Sequence, residues 1–209
     1  MARVWRRIGV IVLVAILGRV SAVDAHPEHL PEHFVIDVHV RLAGEQVEVL
    51  VRTPLFLFAN VGLPLRGEGH VDIRAFHSVD PHVEGDLTYA QRAANAVESA
   101  IRLSSAGELI ELTTHDVRLS REENTAFGSY EQARTQVGAG RQTREVHHSR
   151  GFVDVRFVGW REHEDALAFT PTISPALAGR TTFRVTVNGG GRVRTHEIAG
   201  DGAAVRLLE

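Results

Sequence analysis

The sequence contains no cysteine, and all 23 of its basic residues are arginine. Without thiols the fold must hold without disulfides and cannot bind metal through sulfur, although the compartment inferred below would permit disulfides. Without lysine there is no amine nucleophile. Neither sign of charge is in excess: 23 basic against 26 acidic residues leave a net −3 at pH 7. That balance gives no electrostatic basis for binding nucleic acid or an anionic membrane surface. After residue 25 only Trp160, Tyr89 and Tyr130 remain of the amphipathic aromatics, too few to line a sugar platform. The catalytic signatures are missing too: no Gly-x-Ser-x-Gly elbow, no His-Glu-x-x-His helix and no phosphate-cradling glycine loop. Gly189 to Gly191 mimics such a loop but lacks the helix that would follow it. These absences predict a chain that is not an enzyme.

What is present begins with an address. Arg3, Arg6 and Arg7 precede an apolar run, Ile8 to Leu17, broken only by Gly9, and Val23-Asp24-Ala25 offers small or apolar residues to a signal peptidase. That is the three-part secretory pattern. The run is about ten residues, against the ~20 of a membrane-spanning helix. Residues 1–25 are therefore expected to be a signal peptide, cut after Ala25 or alternatively after Ala22, with an uncleaved anchor as the other reading. Residues 26–209 then form a single extracytoplasmic domain in the periplasm or outside the cell.

Within it, Phe34, Ile36, Val38, Val40 and Leu42 alternate with polar residues, and Val47, Val49 and Val51 resume the pattern after Ala43-Gly44-Glu45. This predicts a β-hairpin. His70 to Phe76 reads as a further strand ended at Asp80-Pro81. Thr88 caps a helix whose apolar residues run from Ala90 to Ile101 at helical spacing, with Gly107 as its stop. Leu109 to Leu119 returns to strand character, with a change of phase at His115 that suggests a bulge. Ser129 and Gln132 have capping-box spacing and open a helix to Val137. Gly138 to Ser149 reads as a loop. Residues 153–157 form a strand, and 183–198 a second hairpin turning at Asn188-Gly189-Gly190-Gly191. Many strands, two short helices and no β-α-β rhythm predict a mainly β chain: an antiparallel, Ig-like β-sandwich, with the two hairpins at the edges of its two sheets.

Histidine is the unusual component, with 12 in the chain. His26, His29 and His33 crowd the start of the mature domain. A histidine at a new N-terminus chelates through its α-amine and Nδ1, and a second imidazole would complete a site for copper or nickel, with Glu28 or Glu32 adding oxygen. A solvated, proline-stiffened leader is the plainer reading of the same residues. His70, His77 and His82 make a looser group near Asp72, Asp80 and Glu84; on one strand His70 and His77 would face opposite sides. His147-His148 would point apart if extended. His115-Asp116, and His163 between Glu162 and Glu164, look like fragments of acid/base sites but equally like ordinary surface pairs.

Three segments carry a resemblance. Phe127-Gly128-Ser129-Tyr130-Glu131-Gln132-Ala133, Gly151 to Phe157, and Val193 to Gly202 with Val205-Arg206-Leu207 resemble the extracytoplasmic N-terminal region of bacterial membrane proteins related to HupE/UreJ. In that family such a β-rich region precedes a multi-helix, His-containing membrane part linked by name to nickel supply. The resemblance puts that part after Glu209 and transfers no functional residue. It implies a non-enzymatic interaction domain with an envelope or membrane protein partner. The alternative is a periplasmic copper or nickel module built on His26 with His29 or His33, open to a further ligand from His70, His77 or His82. An oxidative copper enzyme on polysaccharide, the third reading, lacks the aromatic surface it would need.

Overall fold

Strand β1 (Phe34–Ala43) turns at Gly44, whose φ of +62° suits glycine, into β2 (Gln46–Pro54). Their antiparallel register sets Val38 opposite Val51 and Val40 opposite Val49, so the alternating apolar residues share one face. The computed structural model describes residues 31–79, 86–140, 142, 145–163 and 166–208; the 1–25 leader lies outside them.

The chain continues through a 3₁₀ segment (Leu55–Val61), β3 (Leu65–Arg66), β4 (His70–Val71), helix α1 (Ile73–Phe76), α2 (Tyr89–Ala100), β5 (Ile101–Ser105), β6 (Glu108–Leu109) and β7 (Thr113–Ser120). A short 3₁₀ turn (Ala126–Gly128) leads into α3 (Tyr130–Gly138). Then come β8 (Phe152–Trp160), β9 (Leu167–Pro171), α4 (Pro175–Ala178), β10 (Thr181–Gly189), β11 (Arg192–Ala199) and β12 (Val205–Leu208). A six-stranded sheet has the order β11-β10-β1-β2-β8-β7, and a four-stranded sheet β12-β9-β5-β6. The fold is mainly β, 46% strand against 22% helix, and sandwich-like with short helices, in agreement with the class read from the sequence.

The inner face of the larger sheet carries Ile36, Val38, Val49, Val51, Val155, Phe157, Phe183 and Val185, and these share one core with Leu103, Leu167, Phe169 and Leu207 of the smaller sheet. Phe169 meets Phe183 across the sheets with ring centres 5.4 Å apart. Helix α2 enters the same core on Ala90, Ala93, Ala94 and Val97. Its N-terminus has the capping box at Thr88 and Gln91. Among the described residues no helix is long and apolar enough to cross a membrane.

Several elements differ from expectation. Both hairpins belong to one sheet rather than to the edges of two. Strand β1 pairs in parallel with β10, matching Ile36, Val38 and Val40 to Phe183, Val185 and Val187, because this joins two apolar rows into one buried face. Helix α2 stops at Ala100, well before Gly107: Ile101 and Leu103 are buried in alternation with Arg102 and Ser104, and Ile101–Ser105 pairs with β9. The predicted strand 70–76 shrinks to two residues. Asp72 caps the amides of Arg74 and Ala75 and starts a helical turn there. The bulge at His115 is present as a shift of register between Thr114 and Asp116, and Ser129 caps α3.

The outer face of the larger sheet is polar yet covered. Arg52 stands opposite Asp154 on β8, and the two make a bidentate pair at 2.8 and 3.0 Å. The same guanidinium donates to the Asn124 carbonyl (2.6 Å) and to Ser120 Oγ (3.1 Å) and lies over the rings of Phe127 and Phe152. Burial pushes the Asp154 carboxyl above its ordinary value, with the Arg52 guanidinium pulling against it. Beside the pair, Leu50, Phe127, Tyr130, Ala133 and Val137 form a second apolar cluster under α3. Burial, reinforced by the neighbouring Glu48 carboxylate, pushes the Tyr130 phenol up to about 12. His39 is 5% exposed and bonds Nε2 to the Phe127 carbonyl at 3.0 Å, while its Nδ1 has no partner. Burial lowers its pKa; the Phe127 carbonyl and Asp37 oppose this, and Arg184 reinforces it.

Two outcomes follow. Arg52→Met leaves Asp154 buried and unpaired and should cost about 3–5 kcal/mol in urea denaturation, and Arg52→Met/Asp154→Leu should recover most of it. His39 resists a second proton in the native state while an unfolded imidazole accepts it near pH 6.5. Its contribution is therefore complete above that pH and is lost as pH falls. Native stability should drop between pH 7 and 5, and in His39→Gln that drop should be smaller.

Candidate functional site

The expected histidine sites are not assembled among the described residues. His26, His29 and His82 lie outside them. His33 is exposed just before β1. His70 is half-buried on β4, and His77 is exposed at the end of α1, edge-on to Phe76. Because α1 separates them, His70 and His77 do not share a strand. No group of three converging metal-ligand atoms among the described residues includes His33, His70 or His77.

His70 instead meets His147, with ring centres 5.2 Å apart, and His147 stacks on His148 at 4.9 Å rather than pointing away from it. The reason is a clasp between two loops. His147 Nε2 lies 2.7 Å from the Glu68 carbonyl and its Nδ1 2.8 Å from Ser149 Oγ; His148 Nδ1 lies 2.9 Å from the Gly69 carbonyl. Gly69 has φ +84°, and a Cβ there would sit 2.7 Å from His148 Nδ1. With both nitrogens of His147 taken, its imidazole fastens a loop and is not a free ligand. A wide cleft of about 1180 Å³ holds His77, Arg66, Asp72, Arg118 and Glu145. Its charges are largely spent on each other: Arg66 pairs with Glu145 and Asp72, and Arg118 donates to the Ala139 and Gly140 carbonyls.

The group that does converge is Glu108, Glu162 and His163. Their potential ligand atoms all lie within 4.8 Å of one another, and all three side chains are exposed. Three local features put them there. A tight turn with positive φ at Ala106 (50°) and Gly107 (91°) returns the chain from β5 to β6, setting Glu108 opposite Ser105. After β8, the Arg161 amide donates to Glu45, and its guanidinium to the Gly44 carbonyl, which holds the segment against the β1–β2 turn. The buried Ser105 hydroxyl donates to the His163 carbonyl at 2.7 Å and joins the two segments.

A cleft of about 450 Å³ opens beside this group, lined by Leu109, Glu111, Trp160 and Arg161 as well as Glu108 and Glu162. Trp160 and Leu109 are each 62% exposed. The sequence marked His163 and Glu162 as neighbours; Glu164 lies outside the described residues. It gave no sign of Glu108, which arrives only through the pairing of β5 with β6. The other fragment dissolves: His115 is exposed at the bulge, and Asp116 is engaged by Arg156 at 3.1 Å.

Residues 110–112 pass closely over Gly159, where a Cβ would lie 2.7 Å from the Glu111 carbonyl and 2.8 Å from Ile110 Cγ2. Gly159→Ala should therefore push this crossing off β8. A loss of roughly 1–3 kcal/mol in thermal or urea unfolding is expected, with Trp160 fluorescence altered in the native state. Compared with known proteins, the chain matches no family model and no curated protein.

Proposed function

We propose that the chain is an exported, non-catalytic interaction domain that docks a protein of the cell envelope through the patch formed by Trp160 and Leu109. The observation that carries this reading is the exposure of Trp160. It ends β8 on the outer face of the larger sheet, 62% exposed, beside an equally exposed leucine. Tryptophan anchors are enriched in interfaces because one side chain buries a large area at little entropic cost. An exposed apolar patch with a polar rim is the usual mark of such a surface.

The rim specifies the partner's chemistry. Glu108, Glu111 and Glu162 are exposed around the patch, whereas Arg161 is buried and turned to the Gly44 carbonyl. The patch thus presents an apolar centre in an acidic border, which suits a partner with an aliphatic or aromatic pocket flanked by arginine or lysine. Export rests on the leader pattern of residues 1–25, and a membrane protein as partner on the segments that resemble the HupE/UreJ-related proteins.

A photo-crosslinking residue at position 160, compared with one at position 195 on the exposed strand β11, tests this in the envelope of cells that make the protein. One discrete adduct with a protein bearing a basic extracytoplasmic surface is expected from position 160 only, and it should be lost when Leu109→Asp is added. Equal labelling from both positions, or an adduct indifferent to Leu109→Asp, would overturn the reading.

A further inference from the structure

We infer that Glu108, Glu162 and His163 bind one divalent transition-metal cation, of the zinc class, at the rim of the Trp160 cleft. This goes beyond the docking proposal and does not need a partner. The donor set is mixed, one imidazole nitrogen with two carboxylate oxygens, which suits borderline cations better than magnesium or calcium, whose sites are built from oxygen alone. Ligand atoms already within 4.8 Å need to close to about 3.4 Å to sit on a tetrahedral zinc with bonds near 2.0–2.2 Å. Rotation of exposed glutamate side chains supplies that shift without moving backbone.

Charge gives the second argument. Two carboxylates lie together with no arginine paired to either among the described residues, although arginines neutralise the carboxylates of Asp37, Glu48, Asp116 and Asp154 elsewhere in the fold. A divalent ion cancels both charges at once. The backbone under the ligands is already fixed, by the β5–β6 turn on one side and by the Ser105 bond to His163 on the other. Three protein ligands leave a fourth position open to water or to another molecule.

The ion also bears on docking. It occupies two of the three rim carboxylates, leaving Glu111, so it lowers the attraction for a basic partner. Ion binding is measurable on the protein alone, and its failure would leave the crosslinking result untouched.

The test is zinc calorimetry on the full chain carrying Trp5→Phe, so that Trp160 is the one indole, with cobalt(II) quenching of its fluorescence as a second readout. One-site binding with saturable quenching is expected. It should weaken at least tenfold in His163→Ala and in Glu108→Gln, and stay unchanged in His26→Ala/His29→Ala/His33→Ala. All three ligands are exposed, so these variants should keep the parent circular dichroism; Glu162→Gln serves as an independent third probe of the site. Zinc affinity unchanged in the ligand variants would overturn the inference, as would quenching by magnesium at the same concentration or the absence of saturable binding.

Discussion

The bond between Arg52 and Asp154 fixes the middle of this fold. It joins directly opposed residues of β2 and β8, with Arg52 5% and Asp154 0% exposed. Such a pair adds little net stability compared with an apolar pair of the same size, because both charges lose their water. Its effect is on register. A slip of one residue between β2 and β8 would turn Arg52 toward the side where Val153 and Val155 lie, placing its charge in an apolar core and leaving Asp154 buried without its partner. The guanidinium also reaches Ser120 at the end of β7, the Asn124 carbonyl and the Phe127 ring. One side chain thus ties together two strands beyond its own and the connection leading into α3.

That tie explains why a sheet whose outer face is charged is nevertheless covered. The 120–138 segment cannot leave the sheet without stripping Arg52 of its carbonyl partner, and Leu50, Phe127, Tyr130, Ala133 and Val137 add apolar contact around it. Farther out, Glu48 bridges Arg134 of α3 and Arg156 of β8, and Arg184 pairs with Asp37. These partly exposed pairs contribute little individually, but they give Asp37, Glu48, Arg134, Arg156 and Arg184 a neighbour of opposite charge. His39, caught under the same cover, keeps one nitrogen unused, and its burial is why acid bears on it.

The local periods were legible. The alternation in 34–52 and 183–198 appears as paired strands, and the changed phase at His115 as a register shift. Thr88 and Ser129 cap the two longer helices. What stayed hidden was pairing at long range. The parallel union of β1 with β10 depends on two apolar rows far apart in the chain, each satisfied equally well by a different neighbour. Ile101 continues the helical spacing of α2 and the alternation of β5 at once, and only β9 decides between them. The roles of single histidines were hidden for a related reason. His39 bonds the Phe127 carbonyl and so holds a loop to the sheet, and His147 clasps one loop to another, through partners far off in the chain. Glu108 is ordinary in sequence and reaches His163 only through the β5–β6 turn.

The Trp160 corner is where these constraints run out. Along β8, Asp154 is held by Arg52 and Arg156 by Glu48 and Asp116, while Val158 is buried. Trp160 continues the same outer row, with Gln46 opposite it, and remains mostly exposed. A smaller or polar residue would end the strand as well, so packing of the monomer gives no reason for an indole here. The same holds for Leu109 at the tip of β6, and for Glu108 and Glu162, which pair with no arginine among the described residues. These residues are gathered on a backbone that Ser105, Arg161 and Gly159 hold firmly, and the proposed function makes them a surface for something outside the chain. On the proposed reading, that something is a basic partner at the apolar centre and a cation at its edge, each drawing on the same carboxylates.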